Sequence, residues 1–314
     1  MEVSVIVRSL GRLPTLCELL PLVLAQRHAS FEVLVIEQSG GWPREIAARL
    51  AVLGQDPRLR IVRVPPLGGP RARNFAARLA RGKILLFLDD DDRPAGPDWI
   101  AAHAACYLDA RCLGVTGRHL FAAGEAPPYR NPARAHARCM AFTPLLKLGY
   151  TYARQDRPKR GCDYVHGTNG SLRRSVIDRF GGWDEDTAIE DEMSLALRIA
   201  RGKDVDEYLA FEPRAAVIRR MDLPGGLGKR FLDAGRYFEL ELAFVNRILW
   251  RYRPLRVGAL YPLYVAALYG WTVAWLWADA QAPHNRVATA LGLAASVPWR
   301  VARQLTARGC TFSP

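Results

Sequence analysis

The N-terminal part of the chain alternates short apolar runs with stretches whose apolar residues recur at helical spacing. Strands that alternate with helices of this length predict βαβ units and a largely parallel sheet. Because the strand runs are apolar without interruption, helices are expected on both faces of that sheet. The predicted strands are Val3–Val7, Phe31–Ile36, Arg60–Val64 and Ile84–Leu88, and the predicted helices are Leu16–Ala25, residues 44–53 and Arg71–Leu79.

Polar side chains follow three of these strands directly. Ser9, Glu37 and Asp89 each lie just past a strand end. In open α/β sheets, ligands bind outside the carboxyl ends of the strands, where the strand order switches. The topology therefore predicts that these three residues gather near one site.

Four consecutive aspartates, Asp89–Asp92, follow the apolar run ILLFL. Adjacent carboxylates repel one another unless a cation lies among them, and their oxygens suit Mg²⁺ or Mn²⁺. In an extended segment Asp89 and Asp91 point to one face. A cation held there could bridge two phosphate oxygens. The alternative is a solvated acidic turn or a helix N-cap before Pro94.

Later segments differ in how clearly they are patterned. Residues 118–160 are rich in Pro and Arg and show weak periodicity, which predicts a long loop. Order returns at His166–Asn169, and a helix is expected over Ser171–Phe180. Gly181–Gly182 suits a tight turn with positive φ. Another helix is indicated by the apolar residues Met193, Leu195, Leu197 and Ile199.

The C-terminal part contains 22 residues without a charge, Val257–Ala278, six of which are Trp or Tyr. Such a run is long enough to cross a bilayer. Arginines flank it on both sides, and Pro262 and Gly270 lie within it. These features favour a helix in the membrane interface or a re-entrant hairpin over a single span. A buried core helix or a dimer contact is the alternative.

Composition limits the class of partner. The chain has 44 Lys and Arg against 31 Asp and Glu, a formal charge of +13, which favours anionic partners. Nucleic acid is not expected, because no basic stretch is interleaved with aromatic residues and no zinc-finger spacing occurs. Six cysteines without a C-x-x-C pair, and an N-terminus without signal-peptide features, indicate a cytoplasmic protein at the inner face of the membrane.

Four segments of the chain are VSVIVRSLGR, FEVLVIEQSGG, LGGPRARNFAARLARGKILLFLDDDDRP and HGTNGSLRRSVIDRFGGWDEDTAIEDEMSLALRIARG. Together they resemble family 2 glycosyltransferases over roughly residues 3–202. The resemblance implies an α/β GT-A fold, a Rossmann-like and mostly parallel sheet flanked by helices, with a donor-binding half (1–110) and an acceptor-binding and catalytic half (111–235). The uncharged run beyond it predicts a C-terminal helical, membrane-associating extension (236–314).

The resemblance also implies site residues and a reaction. One sugar would pass from a nucleotide diphosphate-sugar to a hydroxyl of a glycan or lipid-linked acceptor, with inversion and with Mn²⁺ or Mg²⁺ as cofactor. The implied residues are Ser9, Glu37, Arg73, Asn74, Asp89 and Asp90 for the donor, Asp89 and Asp91 for the metal, Asp191 as general base, and Asn169, Trp183, Asp184 and Glu190 for the acceptor.

Like charge from Glu190 and Glu192 would raise the pKa of Asp191, as a base requires, whereas a helix N-terminus would lower it. The sequence leaves this balance open. A helix N-terminus that merely carries acidic residues is the structural alternative. For His166 a structural role is favoured over contact with the acceptor, and for Trp183 core packing and stacking on a sugar ring are equally good interpretations.

Three departures from the family pattern affect the prediction. Glu37-Gln38 stands where an Asp-Asp pair is usual, which leaves the nucleoside open. A histidine that often assists the metal would fall near Ile218–Met221, where none is present. The Q-x-x-R-W motif of processive synthases is absent, which favours transfer of a single sugar.

Two other classes of function compete with transfer. A non-catalytic nucleotide-sugar-binding scaffold at the membrane is one alternative, and the intact Asp89, Asp91 and Asp191 argue against it. A nucleotidyltransferase or dehydrogenase is the other. It lacks support because neither G-x-G-x-x-G nor G-x-x-x-x-G-K-[ST] occurs.

Overall fold

The computed structural model describes residues 2–121, 141–142, 148–149, 156–185, 191–220, 223, 234–278 and 285–306. The chain divides into two compact units. The first comprises Met1–Glu185 and Asp191–Leu223, and the second comprises Asp186–Glu190 and Pro224–Pro314. Most of the loop predicted over residues 118–160 lies outside the described residues.

Nine strands of the first unit form one sheet. They are β1 (Val3–Ser9), β2 (Phe31–Glu37), β3 (Leu59–Arg63), β4 (Ile84–Asp89), β5 (Asp92–Pro94), β6 (Cys112–Phe121), β9 (Lys159–Cys162), β10 (Gly170–Arg173) and β11 (Tyr208–Arg219), and β7 (Ala141–Phe142) pairs separately with β8 (Leu148–Gly149). The helices are α1 (Leu13–Leu24), α2 (Arg44–Leu53), α3 (Gly69–Leu79), α4 (Trp99–Cys106), α5 (Arg174–Phe180) and α6 (Asp191–Gly202).

The strand order of the sheet is β3-β2-β1-β4-β10-β6-β11-β5, with β9 paired to β11. β1 to β4 are mutually parallel, whereas β10 runs antiparallel between β4 and β6. The chain leaves β1 toward β2 and β3 and returns on the other side of β1 as β4. The crevice outside the carboxyl ends of β1 and β4 is therefore the topological switch point. The predicted α/β sheet is confirmed, and residues before and after position 110 build it together.

The core has one layer on each face of the sheet, because successive side chains of a strand point to opposite faces. Val3, Val5 and Val7 of β1 pack with α1, α2 and α4. Ile6 of the same strand packs with α3, α5 and α6 on the other face. Both faces are covered, as the uninterrupted apolar strands predict.

The helix predicted over Ser171–Phe180 begins later than expected, at Arg174. Gly170–Arg173 instead forms β10, in which Ser171 lies between Leu86 of β4 and Val115 of β6. Pairing on both sides of the strand supplies backbone hydrogen bonds that outweigh local helical preference. Gly181 ends α5 with φ 76°, which confirms the turn predicted there.

The second unit is helical where it is described. It contains α7 (Ala234–Phe244), a π-helical stretch (Val245–Leu249), α8 (Trp250–Tyr252), α9 (Pro254–Ala278) and α10 (Arg286–Thr306). Arg300 of α10 binds Glu239 of α7, with 2.6 Å between Nη1 and Oε1. Within the described chain, one helical segment is long and apolar enough to cross a membrane, Pro254–Ala274.

Candidate active site

The carboxyl ends of β1 and β4 lie side by side, with Arg8 in register with Asp89. The Arg8 guanidinium is paired with the Asp89 carboxylate. Arg219, the last residue of β11, lies 3.9 Å from Asp89 Oδ2 and 3.3 Å from Asp92 Oδ1. It comes from the segment where the family's assisting histidine is missing. A fixed positive charge therefore lies beside the acidic cluster at that position.

Arg12, at the start of α1, binds the middle of the cluster. One guanidinium nitrogen lies 2.5 Å from Asp90 Oδ1, and the other donates to Asp91 Oδ2 at 2.7 Å. Together Arg8, Arg12 and Arg219 give each of the four aspartates an ionic partner. The repulsion expected among the aspartates is thus relieved by side chains of the protein itself.

Burial sets which aspartates of the cluster carry charge. It raises the pKa of Asp90 to about 7 in spite of Arg12, and that of Asp92 to about 7 in spite of Arg219. Burial also opposes ionisation of Asp89, but the attraction of Arg8, Arg73 and Arg219 outweighs it and lowers the pKa. Asp89 is accordingly an anion at neutral pH.

Four carboxylate oxygens of the cluster are buried and have no hydrogen-bond partner among the described residues: Asp90 Oδ1, Asp90 Oδ2, Asp91 Oδ1 and Asp92 Oδ1. No group of three or more His, Cys, Asp or Glu side chains within the described residues forms a metal site by itself. Mg²⁺ is commonly held by one or two carboxylates together with substrate phosphates and water. Asp89 and Asp91 carry the carboxylate oxygens that a cation of this kind would need.

A second group of carboxylates lies at the start of α6. Arg73 of α3 is paired with Asp191. The neighbouring Glu192 accepts a hydrogen bond from the backbone N–H of Gly167, with 2.9 Å between nitrogen and Oε1. The Arg73 guanidinium also lies 5.7 Å from the centre of the Trp183 ring. α3, α6 and the loop before β10 thus converge on one pair of carboxyl groups.

The two carboxyl groups of this pair differ in pKa. Burial favours the neutral form of Asp191, but the charge of Arg73 and hydrogen bonds to the carboxylate outweigh it, so the pKa lies below 3.8. Burial and the Asp191 charge raise the pKa of Glu192 to about 8, against the attraction of Arg73. The balance that the sequence leaves open is thus set by Arg73: the pKa of Asp191 is lowered, and the like-charge increase falls on Glu192.

Arg8 links the two groups of carboxylates. It is attracted by Asp89, Asp191 and Glu192 together. A methyl group added at Gly69, in the first turn of α3, would lie 3.0 Å from Arg8 Nη1 and 3.8 Å from Asp191 Oδ2. Motifs about a hundred residues apart in the sequence therefore form one site.

Glu37, predicted to contact the nucleoside, has a structural position instead. Its carboxylate accepts the backbone N–H of Ser39 at 2.6 Å and the indole N–H of Trp42 at 2.7 Å. The side chain is fully buried, and Arg63 lies 3.9 Å away. Each oxygen thus accepts a hydrogen bond from the loop after β2.

Arg73 and Asn74, predicted to contact the donor, both face the acceptor-side motif. Asn74 donates to the Trp183 carbonyl at 2.8 Å and to Glu185 at 2.9 Å, and it accepts the Trp183 N–H at 2.9 Å. Arg73 holds Asp191. The segment therefore contacts the second group of carboxylates and the Trp183 turn, and Arg73 Nε is buried without a hydrogen-bond partner among the described residues.

Asn169, predicted to contact the acceptor, is wholly internal. Its amide oxygen lies 2.7 Å from Trp99 Nε1 and 3.1 Å from His103 Nε2, and its nitrogen donates to the carbonyls of Arg118 and Ala215. The residue has φ 52° and no exposed surface. All its hydrogen-bonding capacity serves the fold, so it offers nothing to an acceptor.

The other predicted residues are placed as follows. Ser9 is buried at the end of β1. Trp183 packs edge-on against Phe87, with 4.9 Å between ring centres, and lines a small cavity with His166 and Glu192. Asp184 Oδ1 lies 3.8 Å from Arg198 Nη1. Glu190 lies outside the described residues.

Four side chains of the site were missed by the prediction: Arg8, Arg12, Arg219 and Glu192. Arg8 carried a visible signal, because it is the one charged residue of the otherwise apolar first strand. Glu192 enters the prediction only as a like charge beside Asp191, and not as a residue of the site. Arg12 and Arg219 come from other elements, and one sequence shows no pairing between distant residues.

The family profile described as Glycosyl transferase family 2 matches residues 4–181, more than half of the chain. The chain belongs to glycosyltransferase family 2. The predicted family is confirmed, and the family match supports the predicted class of enzyme.

Two relatives match over shorter stretches. An uncharacterized glycosyltransferase of Rickettsia felis is 34% identical over 91 residues, which are 29% of this chain and 15% of that protein. The O-antigen biosynthesis protein RfbC of Myxococcus xanthus is 36% identical over 101 residues, 32% of this chain and 8% of that protein. The chain thus matches only a small part of these much longer proteins.

Solved structures of glycosyltransferases share the fold of this family 2 chain. The mannosyltransferase PcManGT from Pyrobaculum calidifontis, in complex with GDP-Man and Mn²⁺, aligns with a TM-score of 0.57 at 18% identity, over 97% of this chain and 84% of that one. TarS 1–349 from S. aureus aligns with a TM-score of 0.56 at 13% identity, over 100% and 93%. The predicted GT-A fold is confirmed.

Proposed function

We propose that this family 2 glycosyltransferase moves one sugar from a nucleotide diphosphate-sugar to a hydroxyl of a glycan or lipid-linked acceptor, with inversion. The observation that carries the proposal is the position of Arg8, between Asp89 on one side and Asp191 with Glu192 on the other. The transfer needs one group that stabilises the departing diphosphate and another, close by, that takes the proton of the attacking hydroxyl. The carboxylates on the two sides of Arg8 are proposed to fill these two roles.

On the donor side, Asp89 and Asp91 would hold Mn²⁺ or Mg²⁺ through carboxylate oxygens, and Asp90 and Ser9 would contact the donor. The cation would neutralise charge on the departing diphosphate. Arg8, Arg12 and Arg219 keep these carboxylates in place and add positive charge along the same edge of the sheet. Fixed cations around a leaving group stabilise it without reorganisation.

On the acceptor side, Asp191 accepts the proton of the attacking hydroxyl. Its lowered pKa keeps it ionised at neutral pH, and Arg73 fixes its orientation. A single displacement at the anomeric carbon inverts its configuration. Trp183, Asp184 and Glu190 are proposed to shape the acceptor pocket, with Trp183 as its apolar wall.

Relatives support this choice of substrates at a coarse level. PcManGT is described with GDP-Man and Mn²⁺, and TarS 1–349 with UDP-GlcNAc. RfbC is an O-antigen biosynthesis protein, which supports a glycan acceptor. The buried position of Glu37 leaves the nucleoside to be found by experiment.

The donor is tested by thermal unfolding with UDP-, GDP- and dTDP-sugars, each with and without Mn²⁺. At least one nucleotide sugar should raise the melting temperature more with Mn²⁺ than without, because bound ligand stabilises the folded state. Asp91→Asn should lose the Mn²⁺-dependent part, and Glu45→Gln, on the exposed surface of α2, should keep it. The proposal fails if no nucleotide sugar stabilises the protein in a metal-dependent way.

We further propose that the second unit associates with a membrane surface through α9 and α10. Only 22% of an 18-residue stretch within Pro254–Ala274 is buried inside the protein. Arg251 is exposed just before this segment and Arg256 is exposed near its start, which favours an acidic leaflet such as that of the cytoplasmic face. The large apolar side chains exposed in this unit are Leu255, Leu263, Trp277, Val287, Leu291, Trp299 and Leu305.

Vesicle flotation tests this association. The protein should float with vesicles that contain phosphatidylglycerol and less with phosphatidylcholine alone. Leu291→Glu should reduce flotation, whereas Val52→Glu, at an equally exposed apolar position of the first unit, should not. Alkaline extraction distinguishes the modes, because an interfacial helix is released and a spanning one is retained. Equal recovery of both variants, or no flotation, contradicts the proposal.

A further inference from the structure

Glu192 lies in the first turn of α6, and its environment differs from that of an ordinary acidic residue at a helix start. It is hydrogen-bonded to the side chain of Asp191. Its Oε1 accepts the Gly167 N–H at 2.9 Å. It also lines the small cavity beside Trp183 and His166. The carboxyl group is therefore held from two sides, by its neighbour and by a backbone amide.

The charges that face Glu192 come from four elements. Asp191 belongs to the same helix, Arg73 to α3 and Arg8 to β1, and His166 lies in the loop before β10. His166 is neutral, because burial and the Arg219 charge lower its pKa to about 4. Arg73 is paired with Asp191, and Arg8 with Asp89. Neither arginine is therefore paired with Glu192, which is attracted to both only at longer range.

Gly167 is required for this close arrangement. A Cβ atom there would clash with the Arg73 guanidinium and with Glu192 Oε1. The absence of a side chain thus lets the backbone amide reach Glu192 while Arg73 reaches Asp191. Any other residue would push these two side chains apart.

We propose that Glu192 is a positioning residue that keeps its proton and donates a hydrogen bond through it to the Asp191 carboxylate. The two carboxyl groups then act as a proton-sharing pair between Arg73 and the Gly167 amide. The proposal rests on the proposed function, in which Asp191 is the base. The hydrogen bond orients the Asp191 carboxylate toward the acceptor. The proton on Glu192 also removes the negative charge that would otherwise lie beside Asp191 and repel it.

The pair has a consequence for pH. Burial and Asp191 raise the pKa of Glu192 to about 8, above the 4.5 of an unfolded chain. The protonated form is thus favoured by folding, and its stabilising contribution is complete below about pH 4.5. That contribution shrinks as pH rises and is lost above about pH 8. Ionisation there should also disturb Asp191 and slow turnover.

The experiment compares Glu192→Gln, Glu192→Ala and the surface control Glu45→Gln with the wild-type chain. A glutamine amide can donate to Asp191 and accept from Gly167, so it imitates the protonated acid at every pH. Turnover is measured from pH 6 to 9.5 as release of nucleoside diphosphate from the nucleotide sugar that stabilises the protein. Unfolding is measured in urea over the same range, without ligand.

Glutamine should rescue most of the turnover that alanine loses, a loss of about 10-fold or more, since a positioned proton-transfer group contributes about 10²–10⁴-fold. The wild-type rate should fall above about pH 8, and the Glu192→Gln rate should not. The unfolding constants of the wild type and of Glu192→Gln should also diverge with pH. Their ratio should change by up to about tenfold per pH unit below the pKa of Glu192.

Three outcomes overturn the proposal. If Glu192→Gln is as inactive as Asp191→Asn, Glu192 is itself the base. If Glu192→Ala turns over normally, Glu192 has no positioning role. If the unfolding ratio does not change with pH, Glu192 holds no proton. The unfolding measurement needs no substrate, so it separates failure of the pair from failure of the proposed reaction.

Discussion

The two clusters of carboxylates in this family 2 chain differ in how the repulsion among neighbouring carboxyl groups is reduced. At the end of β4, three arginines from distant parts of the chain serve four aspartates, and each aspartate has an ionic partner. At the start of α6, Asp191 alone is paired with Arg73, and Glu192 beside it is held by a backbone N–H. Both clusters contain carboxyl groups whose pKa is raised by burial, but the first has three arginine partners and the second has one.

This difference shows what each cluster can do. A cluster balanced by arginines, with Asp91 Oδ1 left without a hydrogen bond among the described residues, can accept a further cation and the anionic ligand that accompanies it. A pair that shares one arginine keeps one member ionised and the other protonated at neutral pH. Such pairs of titratable groups with separated pKa values mark acid–base sites.

The largest effect is expected from Asp191→Asn. It removes the proton acceptor while keeping the shape, and turnover should fall by about 10²–10⁴-fold. Donor affinity, measured by calorimetry with Mn²⁺, should stay within about threefold, because the base contributes in the transition state. Asp178→Asn, on the exposed side of α5, is the control. Loss of donor binding in Asp191→Asn would assign this residue to the donor side instead.

Arg73→Met should destabilise the protein by about 3–5 kcal/mol, because removal of one partner leaves a buried charge uncompensated. Urea denaturation measures the change. The double variant Arg73→Met, Asp191→Asn should recover part of the loss, since it removes the stranded charge as well. A double variant no more stable than Arg73→Met would show that packing against Trp183, rather than charge, sets the cost.

Asp91→Asn should weaken the apparent affinity for Mn²⁺ in the presence of donor by about 10–100-fold, the range seen when groups that support a metal are altered. Titration of Mn²⁺ with thermal unfolding as the readout measures it. Asp98→Asn, whose carboxylate pairs with Arg27 on the surface, is the matched control. Equal affinity in the two variants would remove Asp91 from the metal site.

Gly182→Ala should have the smallest effect, a loss of about 1 kcal/mol of stability, the net value of a hydrogen bond. The added methyl group would clash with Asn74 Oδ1, which accepts the Trp183 N–H. Asn74→Ala should cost a similar amount, and the double variant little more than either. Additive losses in the double variant would show that Gly182 acts independently of Asn74.

Several features were readable without tertiary structure because they depend on neighbours in the chain. Alternation of apolar runs with helical spacing predicted β1 to β4 nearly to the residue, and the apolar strand before Asp89 placed the cluster at a strand end. The turn at Gly181 followed from the need for positive φ. Strand β10 was missed, because it forms through pairing with β4 and β6.

Contiguous residues were enough to predict the family, the two acidic motifs and the order of β1 to β4 with the helices between them. The partners of those motifs depend on the tertiary structure. Ion pairs such as Arg8–Asp89 and Arg73–Asp191 join residues 81 and 118 positions apart, and their burial controls which carboxyl group is charged. Electrostatic energies depend on distance in space and on exclusion of water, and neither is a property of sequence position.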